Sequence, residues 1–235
     1  MSAEITGIGW ITAAGAGCAR DHGSFSMVPG ALPPLTAQAL FNEPYSPLRR
    51  MDEYSKLGLG AIAFALKDAN LDRWTDKRNI GIIASTTYGC LRADLDYFDS
   101  VIKDHGAGAS PAIFSYTLPS IFLGEAAIRF GLTGTTFIIN AENPLGLDSL
   151  KLALTGINRG EADRMLCGVC NHHPPEGFEE SRKIPAGALF FVLEARPDPK
   201  PSYGKVALNA HGQVELNRQA VNDLGELAHR CLVGT

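Results

Sequence analysis

Two stretches of this chain, 79–87 (NIGIIASTT) and 135–141 (TTFIINA), carry no charge at all. Short apolar runs rich in β-branched residues, bounded by turn residues, read as strands buried on both faces. Such a strand needs a covering layer on each side. The sequence supplies candidates: in 49–71, Met51, Tyr54, Leu57, Ala61, Ala65 and Ala69 recur at helical spacing. Small residues crowd that helix (Gly58, Gly60, Ala61, Ala63, Ala65), as expected where another backbone comes close. Strands alternating with helices predict an α/β fold with a largely parallel sheet.

The remaining elements follow the same logic. Segment 4–12 is a β-branched opening strand, and 13–47 reads as a long Gly-, Ala- and Pro-rich loop with at most one short helix. Helices are expected over 91–105, with Leu91, Leu95, Phe98 and Ile102 on one stripe, and after Pro119. Gly131 to Gly134 is a turn. Asn143 and Pro144 look like an N-cap and first helical residue, followed by Leu147, Leu150, Leu154 and Ile157, with Gly160 as the stop. Strands are expected at 164–170, 188–194 and 205–210, a Pro-rich linker at 197–201, and a last helix at 222–231.

Of 235 residues, 45% are hydrophobic and 20% charged, enough for an ordinary core. The net charge of −4 (21 basic, 25 acidic) argues against a nucleic-acid binder relying on a basic surface. The first basic residue is Arg20, so no signal peptide is expected, and no apolar run reaches the length of a membrane span. Cys18, Cys90, Cys167, Cys170 and Cys231 are an odd number in a long chain, which fits reduced thiols and a cytoplasmic location.

Few residues carry a chemical signature. Gly7-Ile-Gly9 follows a strand, but position 12 is Thr12 where a dinucleotide site has its third glycine, and no helix start follows. No cofactor is implied. Cys167-Gly-Val-Cys170 with His172 and His173 resembles a zinc ligand set, but no second pair exists at finger spacing. The cysteines therefore read as small apolar residues on opposite faces of a strand, and no metal site is expected. His22, His105, His211 and His229 read as surface histidines. Glu142 stands apart, between a buried strand and a helix start, where free N–H groups favour an anion. A capping carboxylate is the plain alternative.

Four segments together resemble the β-ketoacyl synthases, a family with the thiolase-like fold: ITGIGWIT at 5–12, RRMDEYS at 49–55, AIRFGLTG at 127–134 and GEADRMLCG at 160–168. The resemblance runs over about 4–210, against the first half of that family only. It implies a single N-terminal-like domain over 1–235, with 211–235 a tail carrying a short helix. The sheet would have five, mostly parallel strands and helices on both faces. The family's nucleophilic cysteine lies in a T-A-C-x-S-G setting after the buried strand. Here the matching stretch is NAENPLG at 140–146, so Glu142 occupies the cysteine position. A carboxylate is a poor acyl acceptor there, since it forms a labile anhydride. The family's histidines lie in a second half that this chain lacks. Ala210-His211-Gly212 looks locally like one histidine motif, but Gln213-Val-Glu-Leu breaks it.

The resemblance thus implies a catalytically inactive, chain-length-factor-like subunit in fatty-acid or polyketide synthesis. Its partners would be a second copy or an intact ketosynthase, with acyl carrier protein as a further partner. The alternatives are a reduced-scope decarboxylase or acyltransferase using Glu142, and an acyl- or carrier-protein-binding module. With the second half absent, the apolar stripe at 51–69 or 147–157 is expected to lie bare, and strand 135–141 to be a pairing edge.

Overall fold

The computed structural model describes residues 2–21, 25–103, 105–175, 177, 185–196 and 202–233. In chain order the elements are β1 (Ser2–Thr12), β2 (Gly15–Cys18), α1 (Ala37–Phe41), α2 (Glu53–Asp68), β3 (Ile80–Thr86), α3 (Leu91–Ile102), α4 (Pro111–Phe114), α5 (Ile121–Phe130), β4 (Thr136–Asn140), α6 (Asp148–Asn158), β5 (Arg164–Asn171), β6 (Gly187–Glu194), β7 (Gly204–Leu208), β8 (Val214–Leu216), β9 (Gln219–Ala220) and α7 (Leu224–Val233). Short 3-10 turns occupy Ala19–Asp21 and Ser46–Arg50. The expected linker at 197–201 and His22 lie outside the described residues.

The α/β class holds, with helices on both faces of the sheet. The sheet itself differs from the expected five mostly parallel strands. Among the described residues it has nine strands in the order β4-β3-β5-β6-β1-β7-β8-β9, with β2 beside β1. Only β3–β4 and β3–β5 are parallel pairs; the others are antiparallel. An unbroken apolar run reports that both faces of a strand are covered, not which way its neighbours point. Strand β6 makes the point: all eight residues are buried, yet it runs antiparallel to both β5 and β1.

Alternation along β6 sends Ala188, Phe190 and Val192 to one apolar cluster and Leu189, Phe191 and Leu193 to the other. The first cluster lies under α2 and α5, the second under α6 and α7. Helix α2 starts where Asp52 accepts the Ser55 N–H at 3.1 Å, an N-cap bond. It then lies directly on β1. A Cβ at Gly9 would overlap the backbone of Ala61, Phe64 and Ala65, and one at Gly7 the backbone of Ala65 and Ala69. The glycine pair that resembles half of a nucleotide-binding loop is there for helix–strand contact.

Two further expectations are corrected. The stripes at 51–69 and 147–157 are not bare: Leu147, Leu150, Leu154 and Ile157 are buried in the second cluster, and α2 is buried along most of its length. Each helix spends its stripe on its own sheet. Segment 13–47 is not simply a loop, since β2 pairs with β1 through Gly9 to Thr12. Among the described residues, no helix is long and apolar enough to cross a membrane.

Candidate functional site

The parallel strands β4, β3 and β5 end side by side, the place where open α/β sheets present ligands. Their ends are tied together. The Ala141 N–H donates to the Thr86 carbonyl at 2.9 Å, and the Thr87 hydroxyl donates to the Ala141 carbonyl at 3.2 Å. Asn171, the last residue of β5, bridges the segments that leave β3 and β4. Its Oδ1 accepts the Thr87 N–H at 2.9 Å and its Nδ2 donates to the Pro144 carbonyl at 3.0 Å. With its amide turned to donate, Asn140 reaches the Thr86 and Thr87 carbonyls at 3.0 Å.

Glu142 leaves this clamp on an exposed turn. The helix start expected at Asn143 and Pro144 is absent. Asn143 Oδ1 accepts the Leu145 N–H at 3.1 Å and its carbonyl accepts the Gly146 N–H at 3.0 Å, so these residues form a turn. Helix α6 begins only at Asp148. The macrodipole fades within one turn of a helix end, so neither the capping nor the dipole reading of Glu142 survives. In the first turn of α6, Ser149 is fully buried and its hydroxyl has no hydrogen-bond partner among the described residues.

Beside the clamp lies a pocket of about 430 Å³. Its walls are the start of α2, the turn from β3 into α3, α4, and the residues after β5. Its inner surface includes Met51, Tyr54, Cys90, Ala93 and Tyr116, all buried. Burial and the Asp94 carboxylate push the Cys90 thiol up to about 12. Burial also raises the Tyr54 and Tyr116 phenols and the Asp52 carboxyl, and lowers the His172 imidazole. In each case the neutral form is favoured. The pocket offers a largely apolar inner wall and no ready thiolate, with Arg50, Glu53, Arg92 and Asp96 also in its lining. Glu142 is not part of its lining.

The other sequence candidates are dispersed. Cys167 belongs to the cluster under α6 and Cys170 to the one under α2, on opposite faces of β5 as expected. His172 and His173 do reach the pocket, with His173 Nε2 3.0 Å from the Gly30 carbonyl oxygen. His211 lies in the exposed turn after β7, and four strands separate β7 from β4. Sequence reasoning missed Asn171, Thr87 and Cys90. The segment 49–55 was a usable signal, since Arg50 to Tyr54 line the pocket.

The profile of the family described as "Beta-ketoacyl synthase, N-terminal domain" matches residues 35–186, well over half of the chain. The chain therefore belongs to the β-ketoacyl synthase family. It is 29% identical over 140 residues to the granaticin polyketide putative β-ketoacyl synthase 1 of Streptomyces violaceoruber, covering 55% of this chain and 33% of that protein. Across the curated relatives it matches, the chain spans between about a quarter and a half of their length. Among solved structures, it is similar to a type II polyketide acyl-carrier protein complex with its ketosynthase bound to the hexaketide (TM-score 0.69, 19% identity, 87% of this chain and 67% of that chain). It is also similar to a ketosynthase in complex with its chain length factor from Xenorhabdus doucetiae (TM-score 0.59, 17% identity). In that match the two chains cover each other about equally, 83% of this one and 80% of the other.

Proposed function

We propose that this chain is a ketosynthase-like subunit without condensing activity of its own, acting beside an intact β-ketoacyl synthase as a chain-length-factor-like partner in polyketide or fatty-acid synthesis. The observation that carries the reading is the turn after β4. Where the family resemblance calls for a nucleophilic thiol, an exposed Glu142 stands with no bonding partner among the described residues. All five cysteines are buried. Attack by a carboxylate on a thioester gives an anhydride that water opens, so Glu142 fills the position without holding an acyl group. The likeness to ketosynthase complexes with a chain length factor and with an acyl carrier protein supports an intact synthase and a carrier protein as partners.

The test is acyl transfer. The purified chain, given labelled acyl and malonyl groups on acyl carrier protein, should form no β-ketoacyl product and no acylated cysteine. Thiol titration should find no fast-reacting group in the native chain and five after denaturation. A stable acyl adduct on one thiol, followed by turnover by the chain alone, would overturn the reading.

A further inference from the structure

The charged side chains that line the pocket are largely exposed and already paired. Arg50 faces Glu125 at 3.5 Å and bonds the Tyr116 phenol, Glu53 accepts from Lys56 at 2.5 Å, and Arg92 pairs with Asp96 at 3.2 Å along α3. Deeper in, the Cys90 thiol faces the Asp94 carboxylate at 3.7 Å and the Tyr54 hydroxyl donates to the Pro119 carbonyl at 3.3 Å. After β5, His173 is tied through Nε2 to the Gly30 carbonyl oxygen. His172 is different. Its Nδ1 is 3.2 Å from the His173 carbonyl oxygen, and its Nε2 has no hydrogen-bond partner among the described residues. The ring is half-buried and shares the pocket with the start of α2, where Asp52 caps the helix and Asp52 and Glu53 favour the charged ring. The Tyr88 phenol is the remaining titratable group in the lining.

We propose that the pocket takes an uncharged apolar guest and that its occupancy is linked to a proton on the His172 ring, the guest entering as the proton leaves. Its volume of about 430 Å³ suits a small molecule. Met51, Ala93, Tyr54 and Tyr116 give it an apolar inner surface, and the paired rim leaves no free cation to recruit an anion. A guest lying on His172 removes water from the ring and offers Nε2 nothing to bond. Losing that water costs the imidazolium more than the neutral imidazole. The guest therefore binds the neutral form better, and by linkage acid expels it. Burial in the empty pocket already acts in this direction. Asp52 in the same lining acts in the opposite sense, because a carboxyl that loses water takes up a proton, so a variant that keeps Asp52 and removes the histidine isolates the switch. The switch is a property of the chain's own pocket and stands apart from the partner-subunit reading.

The experiment titrates the full chain with N-phenyl-1-naphthylamine, an uncharged fluorescent probe, at about pH 7.5 and about pH 5.0. The wild type should bind it about three-fold or more weakly at the lower pH. His172→Gln, neutral at both, should lose clearly less. Asp52→Asn keeps a capping side chain but removes the carboxylate that favours the charged ring, so the loss of affinity should move to lower pH. Ile113→Trp, at a half-buried position in the wall, fills the pocket and should weaken the probe at both pH values. Equal pH dependence in the wild type and His172→Gln overturns the switch. A wild type that binds no probe at the higher pH overturns the guest, and so does a probe indifferent to Ile113→Trp, since it sits elsewhere. None of these outcomes alters the acyl-transfer test of the partner reading.

Discussion

His172 shows how a single side chain reports the pocket it lines. It is half-buried, its Nδ1 is 3.2 Å from the His173 carbonyl oxygen, and Asp52 and Glu53 favour its charged form. Burial outweighs them and holds its pKa below the ordinary 6.5. The unfolded chain then takes up a proton at a pH where the folded chain resists it. Stability contributed at this position is present above 6.5 and is lost as pH falls below it. The half-buried Asp52 and the buried Asp68 work in the opposite sense, since their raised pKa values stabilise the fold as pH falls through the range just above 3.8. Comparing variants isolates the histidine. Between about pH 7.5 and about pH 5.5, urea denaturation should show the wild type losing more stability than His172→Gln. Equal slopes would mean that the imidazole is not desolvated in the native state. The position of Glu142 was legible in the sequence, but its surroundings were not. The Asn143 side chain offers the same hydrogen bond to a turn as to a helix start, and only the fold decides between them.

At the scale of elements, the contact between β1 and α2 leaves no room for a side chain at Gly7 or Gly9. Gly9 lies against the Ala61–Ala65 turn of α2, so Gly9→Ala forces strand and helix apart and should cost about 3 kcal/mol or more, at the severe end of overpacking. Gly17→Ala on β2 meets nothing closer than the Trp10 ring at 3.9 Å and should stay within about 1 kcal/mol. Denaturant midpoints for the two variants decide the matter, and similar losses would show that the β1–α2 approach is looser than described. The crowd of small residues in 49–71 announced this contact in advance, because small side chains are what a close helix–strand approach requires. The long periodic elements were legible for the same reason: β1, α2, β3, α5, α6, β5 and β6 each carry a repeating demand for burial. Strands β2, β8 and β9 are two to four residues long, too short for any period to appear. Strand direction was hidden because β6 reads identically in a parallel or an antiparallel setting.

Across the whole molecule, protection from solvent is distributed unevenly, and that distribution is itself testable. Strand β6 lies between β5 and β1 with every residue buried, so its amides open only when the whole fold does. Helix α3 buries one residue and its hairpin partner α4 none, so both can open locally at small cost. Strand β4 is intermediate. The Ala141 N–H reaches Thr86, and by strand alternation those of Phe137 and Ile139 also point to β3, which leaves the N–H groups of Ile138 and Asn140 facing outward at the edge. Hydrogen–deuterium exchange of the isolated chain should rank β6 and β5 slowest, α6 close behind, and α3, α4 and the outward β4 amides fastest. Strong protection of α3 in the isolated chain at micromolar concentration would mean that its stripe is already covered there by another copy.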